Sequence, residues 1–242
     1  MSLLEAILMG VIQGVTEFLP VSSSGHLALF KLLFDVEADT GMLFDVLLHL
    51  GTLIAIFVAF YRDIFRMAQE LFAILGDFFR DVRIFFGNVF LRRAEPYYKL
   101  INNSYRKFVM LVVVSTIPTG IIGYMAADVV EAASGILLVP GICLVLTAVL
   151  LFLSDRVADG VKTPRQVTYS NAFFIGICQG YATLPGLSRS GTTITACLLS
   201  GFNRKFAVKY SFIMSIPAVL GAVVLELTDL KGIEVTMADI GC

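Results

Sequence analysis

The sequence predicts an all-α, polytopic membrane protein built as an inverted-topology repeat, with two re-entrant helical hairpins and full transmembrane helices. Three observations carry this reading. First, 57% of the 242 residues are hydrophobic, 15% are charged and the mean hydropathy is +0.86. That is the composition of a membrane protein rather than a soluble domain. Second, the runs Met42–Tyr61, Phe108–Ala127, Gly135–Leu153 and Val208–Leu227 are apolar over the length of about 20 residues that a bilayer core requires. Third, two polar stretches, Gln13–His26 and Gln179–Gly191, each lie between apolar runs too short to cross: Leu3–Ile12 and Leu27–Phe34, then Ala172–Cys178 and Thr192–Gly201. A hairpin that dips into the membrane and returns has this pattern. Irregular backbone at such depth survives only when covered by protein or lining a water-filled cavity.

The two polar stretches are copies of one another. Gly10/Gly176, Gln13/Gln179, Gly14/Gly180, Ser22/Ser188, Ser24/Ser190 and Gly25/Gly191 are identical and all 166 positions apart. Met42–Tyr61 maps onto Val208–Leu227 in the same register, so the repeat extends beyond the tips. The charges do not repeat: Glu17 matches Thr183 and Arg189 matches Ser23. One copy supplies the acid and the other the base, as two half-sites of one site would.

In chain order, the first hairpin ends near Phe34 and the acidic connector Asp35–Asp39 leads into the first crossing. Arg62–Lys107 mixes aromatic and aliphatic residues with Arg66, Arg80, Arg83, Arg92, Arg93 and Lys99, and reads as an interfacial amphipathic helix plus loop. The second crossing carries a kink at Pro118. Asp128–Ser134 reads as a short acidic turn before the third crossing. Ser154–Asn171 carries Arg156, Lys162 and Arg165; the second hairpin, the basic Asn203–Lys205 with Lys209, and the last crossing follow. The tail Thr228–Cys242 is acidic. Basic connectors mark the cytoplasmic side. They all fall on one face when crossings are counted, and the acidic connectors and tail fall on the other. The first hairpin therefore enters from outside and the second from the cytoplasm, with the site between them near the midplane. The chain is expected to form a single membrane domain, 1–242, with repeat 1 over about 1–153 and repeat 2 over about 172–242. Repeat 2 holds a hairpin and one crossing where repeat 1 holds three, so the last two helices of a full duplication are expected to be missing.

Several classes are excluded or unsupported. A net charge of −1 argues against a nucleic-acid partner. No GxxxxGK[ST] loop supports nucleotide hydrolysis. Cys143, Cys178 and Cys197 lack metal-ligand spacing and read as small buried hydrophobes, whereas terminal Cys242 has no reading. The first apolar run has no basic start and leads into the polar motif, so no cleavable leader is expected.

Chemistry concentrates at the tips. Glu17 lies one helical turn after Gln13, so the two share a face. The bland reading is a polar pair tying helices together; a carboxylate at membrane depth beside Ser22-Ser23-Ser24-Gly25-His26 instead reads as a functional site. Pro20 and Gly25 bound a turn whose backbone N–H groups can face an anion, and a helix starting there can bind phosphate. In the second tip Arg189 offers a planar fork suited to phosphate, with Ser188 and Ser190 as neutral donors beside Gly186, Gly191 and Thr193. Its bland readings are snorkelling to the surface and pairing with a buried acid. His26 is either a general acid or a polar residue at a helix start. His49 reads as a structural hydrogen-bonding residue.

Gln13-x-x-x-Glu17 with Pro20-x-Ser22-Ser23-Ser24-Gly25-His26, together with Pro185-Gly-x-Ser188-Arg189-Ser190-Gly-x-Thr193, resembles the two signature motifs of the undecaprenyl-diphosphatase, or bacitracin-resistance, family. The resemblance runs from the N-terminus to about Asp239. It implies an integral membrane phosphatase of the bacterial plasma membrane. Such an enzyme converts undecaprenyl diphosphate to the monophosphate, recycles the lipid carrier of cell-wall peptidoglycan and confers bacitracin resistance. It implies a fold of six crossings plus two re-entrant hairpins, with the site open to the outer face. Gln13 stands where many members have a second Glu, and the last two helices usual in the family are absent.

By this resemblance Glu17, Ser23, His26 and Arg189 are the catalytic set. Ser23 is the nucleophile, and Glu17 or His26 handles the proton. Gln13, Ser22, Ser24, Gly25, Gly186, Ser188, Ser190, Gly191 and Thr193 line the substrate. A water activated by Glu17 and a divalent cation, Mg²⁺ or Ca²⁺, is the alternative nucleophile; Glu17, with Gln13 and substrate oxygens, would hold that ion. The implied partners are a polyprenyl diphosphate, the surrounding lipid, bacitracin as a competitor for the substrate, and a second copy of the chain in a homodimer. A reading from another class is a transporter or flippase of a phosphorylated lipid or anion on the same scaffold; a third is an inactive membrane scaffold. Glu17 beside Ser23 favours hydrolysis, because a carrier needs an anion clamp but no nucleophile.

Overall fold

The computed structural model describes residues 2–36, 42–91 and 93–230. Most of the tail, with Cys242, and Glu37–Asp39 of the first acidic connector lie outside the described residues. Within them every regular element is an α-helix: α1 (Leu3–Phe18), α2 (Ser23–Leu33), α3 (Met42–Leu91), α4 (Ser104–Met125), α5 (Ala127–Ser134), α6 (Leu138–Arg156), α7 (Tyr169–Tyr181), α8 (Arg189–Leu199) and α9 (Arg204–Leu230). Four of these, α3, α4, α6 and α9, are long and apolar enough to cross a membrane. They are the four crossings the sequence predicts. The chain is a multi-pass membrane protein.

Both hairpins form, and their helices are longer than the apolar runs suggest. α1 continues past Ile12 to Phe18, so Gln13 and Glu17 stand on helix rather than loop. It stops at Leu19 because a residue before proline is driven out of the α region; Leu19 has φ −76° and ψ 135°. α2 and α8 start alike. The Ser22 hydroxyl accepts from the Gly25 N–H at 3.3 Å, and the Ser188 hydroxyl accepts from the Gly191 N–H at 3.0 Å. These are matched N-caps in the 166-residue register.

One connector follows expectation and another differs. In Arg62–Lys107 a helix runs to Leu91 and irregular chain follows from Arg93, as the helix-plus-loop reading expects. α3 is two helices in continuous chain, joined at a kink where Phe60 leaves helical geometry (φ −115°, ψ 21°). Composition changes at Tyr61, next to the kink; helix formers continue on both sides and no proline intervenes, so helix resumes directly beyond it. α4 then begins at Ser104, capped by Asn103, rather than at Phe108. Asp128–Ser134 is not a turn but helix α5: alanines and an acidic first turn favour helix until Gly135.

Arg106 locks the far part of α3 to α4. It is 8% exposed, and its guanidinium reaches Glu70 at 3.0 Å and Asp77 at 2.6 Å. The core lies between α4, α7, α8 and α9, where Tyr210 is fully buried and donates to the Leu111 carbonyl at 3.0 Å. α4 and α7 approach so closely that a Cβ on Gly176 would lie 2.1 Å from the Ser115 carbonyl oxygen. The Thr119 hydroxyl donates to the Gly176 carbonyl at 2.8 Å across the same contact. Small residues at a close crossing replace the hydrophobic driving force that lipid does not supply.

Gly10 matches Gly176 in the repeat, yet a Cβ there meets nothing within 4 Å. Gly176→Ala is therefore expected to cost about 1–3 kcal/mol by overpacking, and Gly10→Ala to cost nothing. Unfolding of the two variants in detergent measures the difference.

Candidate active site

The first tip turns at Leu19–Ser22. Ser22 has φ 72°, a left-handed conformation rare for a residue with a side chain. Strain of about 1–3 kcal/mol is held there, next to the chemically active side chains. The second tip turns at Gly186, φ +87°, where a Cβ would stand 2.3 Å from the Pro140 carbonyl oxygen. α6 holds this tip. The Thr147 hydroxyl donates to the Gly186 carbonyl at 3.2 Å and accepts from the Ser188 N–H at 2.9 Å.

The tips touch. The Gly186 N–H donates to the Ser24 hydroxyl at 3.1 Å, and a Cβ on Gly191 would lie 2.9 Å from the Pro20 carbonyl oxygen. Between them, Arg189 Nη2 donates to Glu17 Oε1 at 2.6 Å. The side chains of Arg189 and Glu17 are only 23% and 15% exposed. The pairing of Arg189 with a buried acid is thus real, and it lies inside the site rather than excluding one. Ser23 Oγ donates to the other oxygen, Glu17 Oε2, at 2.5 Å, and Gln13 Nε2 approaches that oxygen at 3.4 Å. Gln13 is 3% exposed and also reaches the Thr52 hydroxyl on α3 at 3.4 Å. His26 Nδ1 lies 2.7 Å from the Ser22 carbonyl oxygen. A carbonyl can only accept, so Nδ1 carries the proton and Nε2 of the neutral ring is an acceptor.

The structure brings together Gln13, Glu17, Ser22, Ser23, Ser24, Gly25, His26, Gly186, Ser188, Arg189, Ser190 and Gly191. Ser22 with Ser24 (3.3 Å) and Ser188 with Ser190 (3.4 Å) face each other in matching pairs. Thr193 does not join them. It is fully buried, and its hydroxyl sits 2.9 Å from the Arg189 carbonyl and 2.5 Å from Ser211 Oγ, joining α8 to α9. Gly186 commits its N–H to Ser24, and Gly25 packs on Leu144 of α6.

Thr52, Thr147 and Pro140 support the site from other helices, and the sequence reading did not single them out. The one signal for the threonines is a hydroxyl inside an apolar crossing. His49 shares the Thr52 face of α3, three residues earlier.

Chemically, one carboxylate orients a hydroxyl on one oxygen and a guanidinium on the other. Arginine has five N–H donors and spends one of them on Glu17. The N-termini of α2 and α8 converge beside it, each with a positive dipole end. This arrangement can bind a phosphate and present an oxygen nucleophile to it. A protein-held divalent cation fits poorly. Both Glu17 oxygens are engaged, Gln13 presents its NH₂ to Glu17, and among the described residues no group of three His, Cys, Asp or Glu side chains converges.

The bacitracin resistance protein BacA family matches residues 6–241. Among curated proteins, the chain is 40% identical over 234 residues to the undecaprenyl-diphosphatase of Methanosphaera stadtmanae, covering 97% of this chain and 80% of that one. It is 40% identical over 239 residues to that of Alkaliphilus metalliredigens, covering 99% and 81%. It is 41% identical over 231 residues to that of Methanobrevibacter smithii, covering 95% and 78%.

Removing one member of a buried ion pair leaves the other uncompensated. Glu17→Gln or Arg189→Gln alone is expected to destabilise the protein by up to about 3 kcal/mol, the lower end for buried pairs because both side chains keep some exposure. The double variant is expected to recover most of that loss. Denaturation of the three variants in detergent gives the coupling.

Proposed function

The chain belongs to the bacitracin resistance protein BacA family, and from that premise we propose that it hydrolyses undecaprenyl diphosphate to undecaprenyl phosphate and inorganic phosphate. It thereby recycles the lipid carrier of peptidoglycan synthesis, and bacitracin competes for the same diphosphate. The observation that carries this reading is Glu17, with Ser23 on one oxygen and Arg189 on the other. An anion clamp alone needs no such hydroxyl.

In the proposed mechanism the diphosphate binds the remaining Arg189 donors, the Ser188 and Ser190 hydroxyls and the N-termini of α2 and α8. The prenyl tail stays in the bilayer. Ser23 Oγ attacks the terminal phosphorus and its proton passes to Glu17. The bond from that phosphorus to the bridging oxygen breaks, and undecaprenyl phosphate leaves with the electron pair. Water then attacks the phosphoserine, giving a proton to His26 Nε2. Ser23 oxygen leaves phosphorus and recovers the proton held by Glu17, and inorganic phosphate is released. His26 is oriented for this by its Nδ1–H on Ser22. No step runs through a metal. A Mg²⁺ or Ca²⁺ ion would enter on the diphosphate oxygens rather than on this residue set.

We further propose that the site opens to the outer face of the plasma membrane and sideways to lipid. The charge asymmetry of the connectors supports that orientation.

Purified protein given polyprenyl diphosphate is expected to release phosphate, and a substrate labelled in the terminal phosphate is expected to leave label on Ser23. Release without label at Ser23 would assign the attack to water; no release at all would leave the carrier reading. Arg189→Lys keeps the charge but loses the planar fork, and is expected to lose activity on the order of 10²-fold.

Orientation is checked separately. With native cysteines removed, a cysteine at Glu131 should react with a membrane-impermeant thiol reagent in intact cells, and one at Glu95 should not. The reverse pattern would turn the site inward.

A further inference from the structure

A second cavity, of about 330 Å³, lies between the start of α4, the middle of α3 and the start of α9. None of its lining residues belongs to the hairpin tips. Lys205 precedes Phe212, whose ring lies 5.5 Å from that of Phe18 beside Glu17, by seven residues, or about 10 Å along α9.

Its charge is unbalanced. Asp63 is the acid in the lining; it is neutralised by Lys209 at 2.9 Å and takes the Tyr105 hydroxyl at 3.1 Å. Lys205 also lines the cavity, is exposed, and forms no ion pair among the described residues. Two further cations touch lining residues: Arg66 lies over the Tyr105 ring at 4.4 Å, and Arg165 donates to Ser104 Oγ at 2.8 Å. Four cations thus surround one paired carboxylate. Asn203 accepts two backbone N–H groups through Oδ1, so its NH₂ is available as a neutral donor.

The floor is apolar. Phe108 and Phe206 line it with ring centroids 5.3 Å apart, and both are buried. A cationic rim over an aromatic floor, at the ends of membrane-crossing helices, matches an amphiphile with a phosphate head better than a free solute. The connectors that supply the cations are those whose charge marks the cytoplasmic side.

We propose that this cavity binds a phosphate-bearing anion, the headgroup of an anionic phospholipid in the cytoplasmic leaflet. Lys205 is its principal contact, with Asn203 and the outer cations completing the cradle. This assignment is independent of the diphosphatase reading, because no residue of the cavity takes part in the proposed reaction.

The test uses the full chain, delipidated in neutral detergent, with thermal unfolding read at increasing phosphatidylglycerol, phosphatidylcholine or inorganic phosphate. At ten times its dissociation constant, phosphatidylglycerol is expected to raise the unfolding midpoint by about 3–6 °C. Phosphatidylcholine should give a smaller shift, and Lys205→Glu should remove the difference. A saturable, Lys205-dependent shift with inorganic phosphate alone would keep the anion site and assign it to the free ion. Lys205 is exposed, so its variants should fold; Lys205→Gln, which should weaken the response at least several-fold, serves if Lys205→Glu does not. Equal shifts from the two lipids, or a phosphatidylglycerol shift unchanged in a folded Lys205 variant, would overturn the proposal.

Discussion

The contact between Glu17 and Arg189 is the constraint on which the arrangement depends. Each is an ionisable group whose side chain is more than three-quarters buried, and each alone would be costly there. They lie 172 residues apart and come from different hairpins, yet meet at 2.6 Å. Holding them together requires the two tips to meet. Tip contacts at Ser24–Gly186 and Pro20–Gly191 follow from that demand. The pair also sets the chemistry, because the carboxylate oxygen not facing Arg189 is the one that receives the Ser23 hydroxyl.

The repeat is symmetric in its helices and caps but not in its turns, where Ser22 has φ 72° and Ser188 φ −69°, and it is asymmetric in use. Ser22 and Ser188 cap their helices in the same way, and Ser22/Ser24 and Ser188/Ser190 form matching pairs. Gln13 and Gln179 occupy equivalent helix positions, but Gln13 meets a carboxylate and Gln179 is fully buried against Thr119 and the Met214 carbonyl. Gly10 faces open space while Gly176 carries the tightest crossing in the core. Duplicated sequence therefore folds into duplicated local structure, and its neighbours decide what each copy does. The second hairpin is embedded among α4, α6 and α9. The first leans on α3 and α6 with much of α1 exposed.

Much of this was legible in the sequence. Hydropathy located all four crossings, because a bilayer imposes a length on any apolar helix. The broken apolar runs and the 166-residue register located both hairpins, and the unshared charges indicated that the tips combine. Residue types at the tips indicated anion chemistry, since Arg, Ser and a glycine turn are donors and Glu is not. Less legible were the connectors. Tyr61, where composition changes, lies beside the Phe60 kink that divides α3, but hydropathy does not show that helix resumes directly beyond it. Asp128–Ser134 is polar and short, as a turn would be, yet nothing in it breaks a helix.

By itself, then, the sequence determined the class of fold, the two tips and the residues that meet there, since each follows from local composition or internal repetition. Tertiary structure alone decided the rest. It assigned one Glu17 oxygen to Arg189 and the other to Ser23, and it turned Thr193 into a link to Ser211 rather than a wall of the site. It recruited Thr52 and Thr147 from distant crossings to hold the tips. The physical reason is that hydrogen bonds reach about 3 Å, whereas, Glu17 and Ser23 excepted, the partners they join here are 18 to 172 residues apart along the chain. Only the packing of one helix on another brings such groups within range.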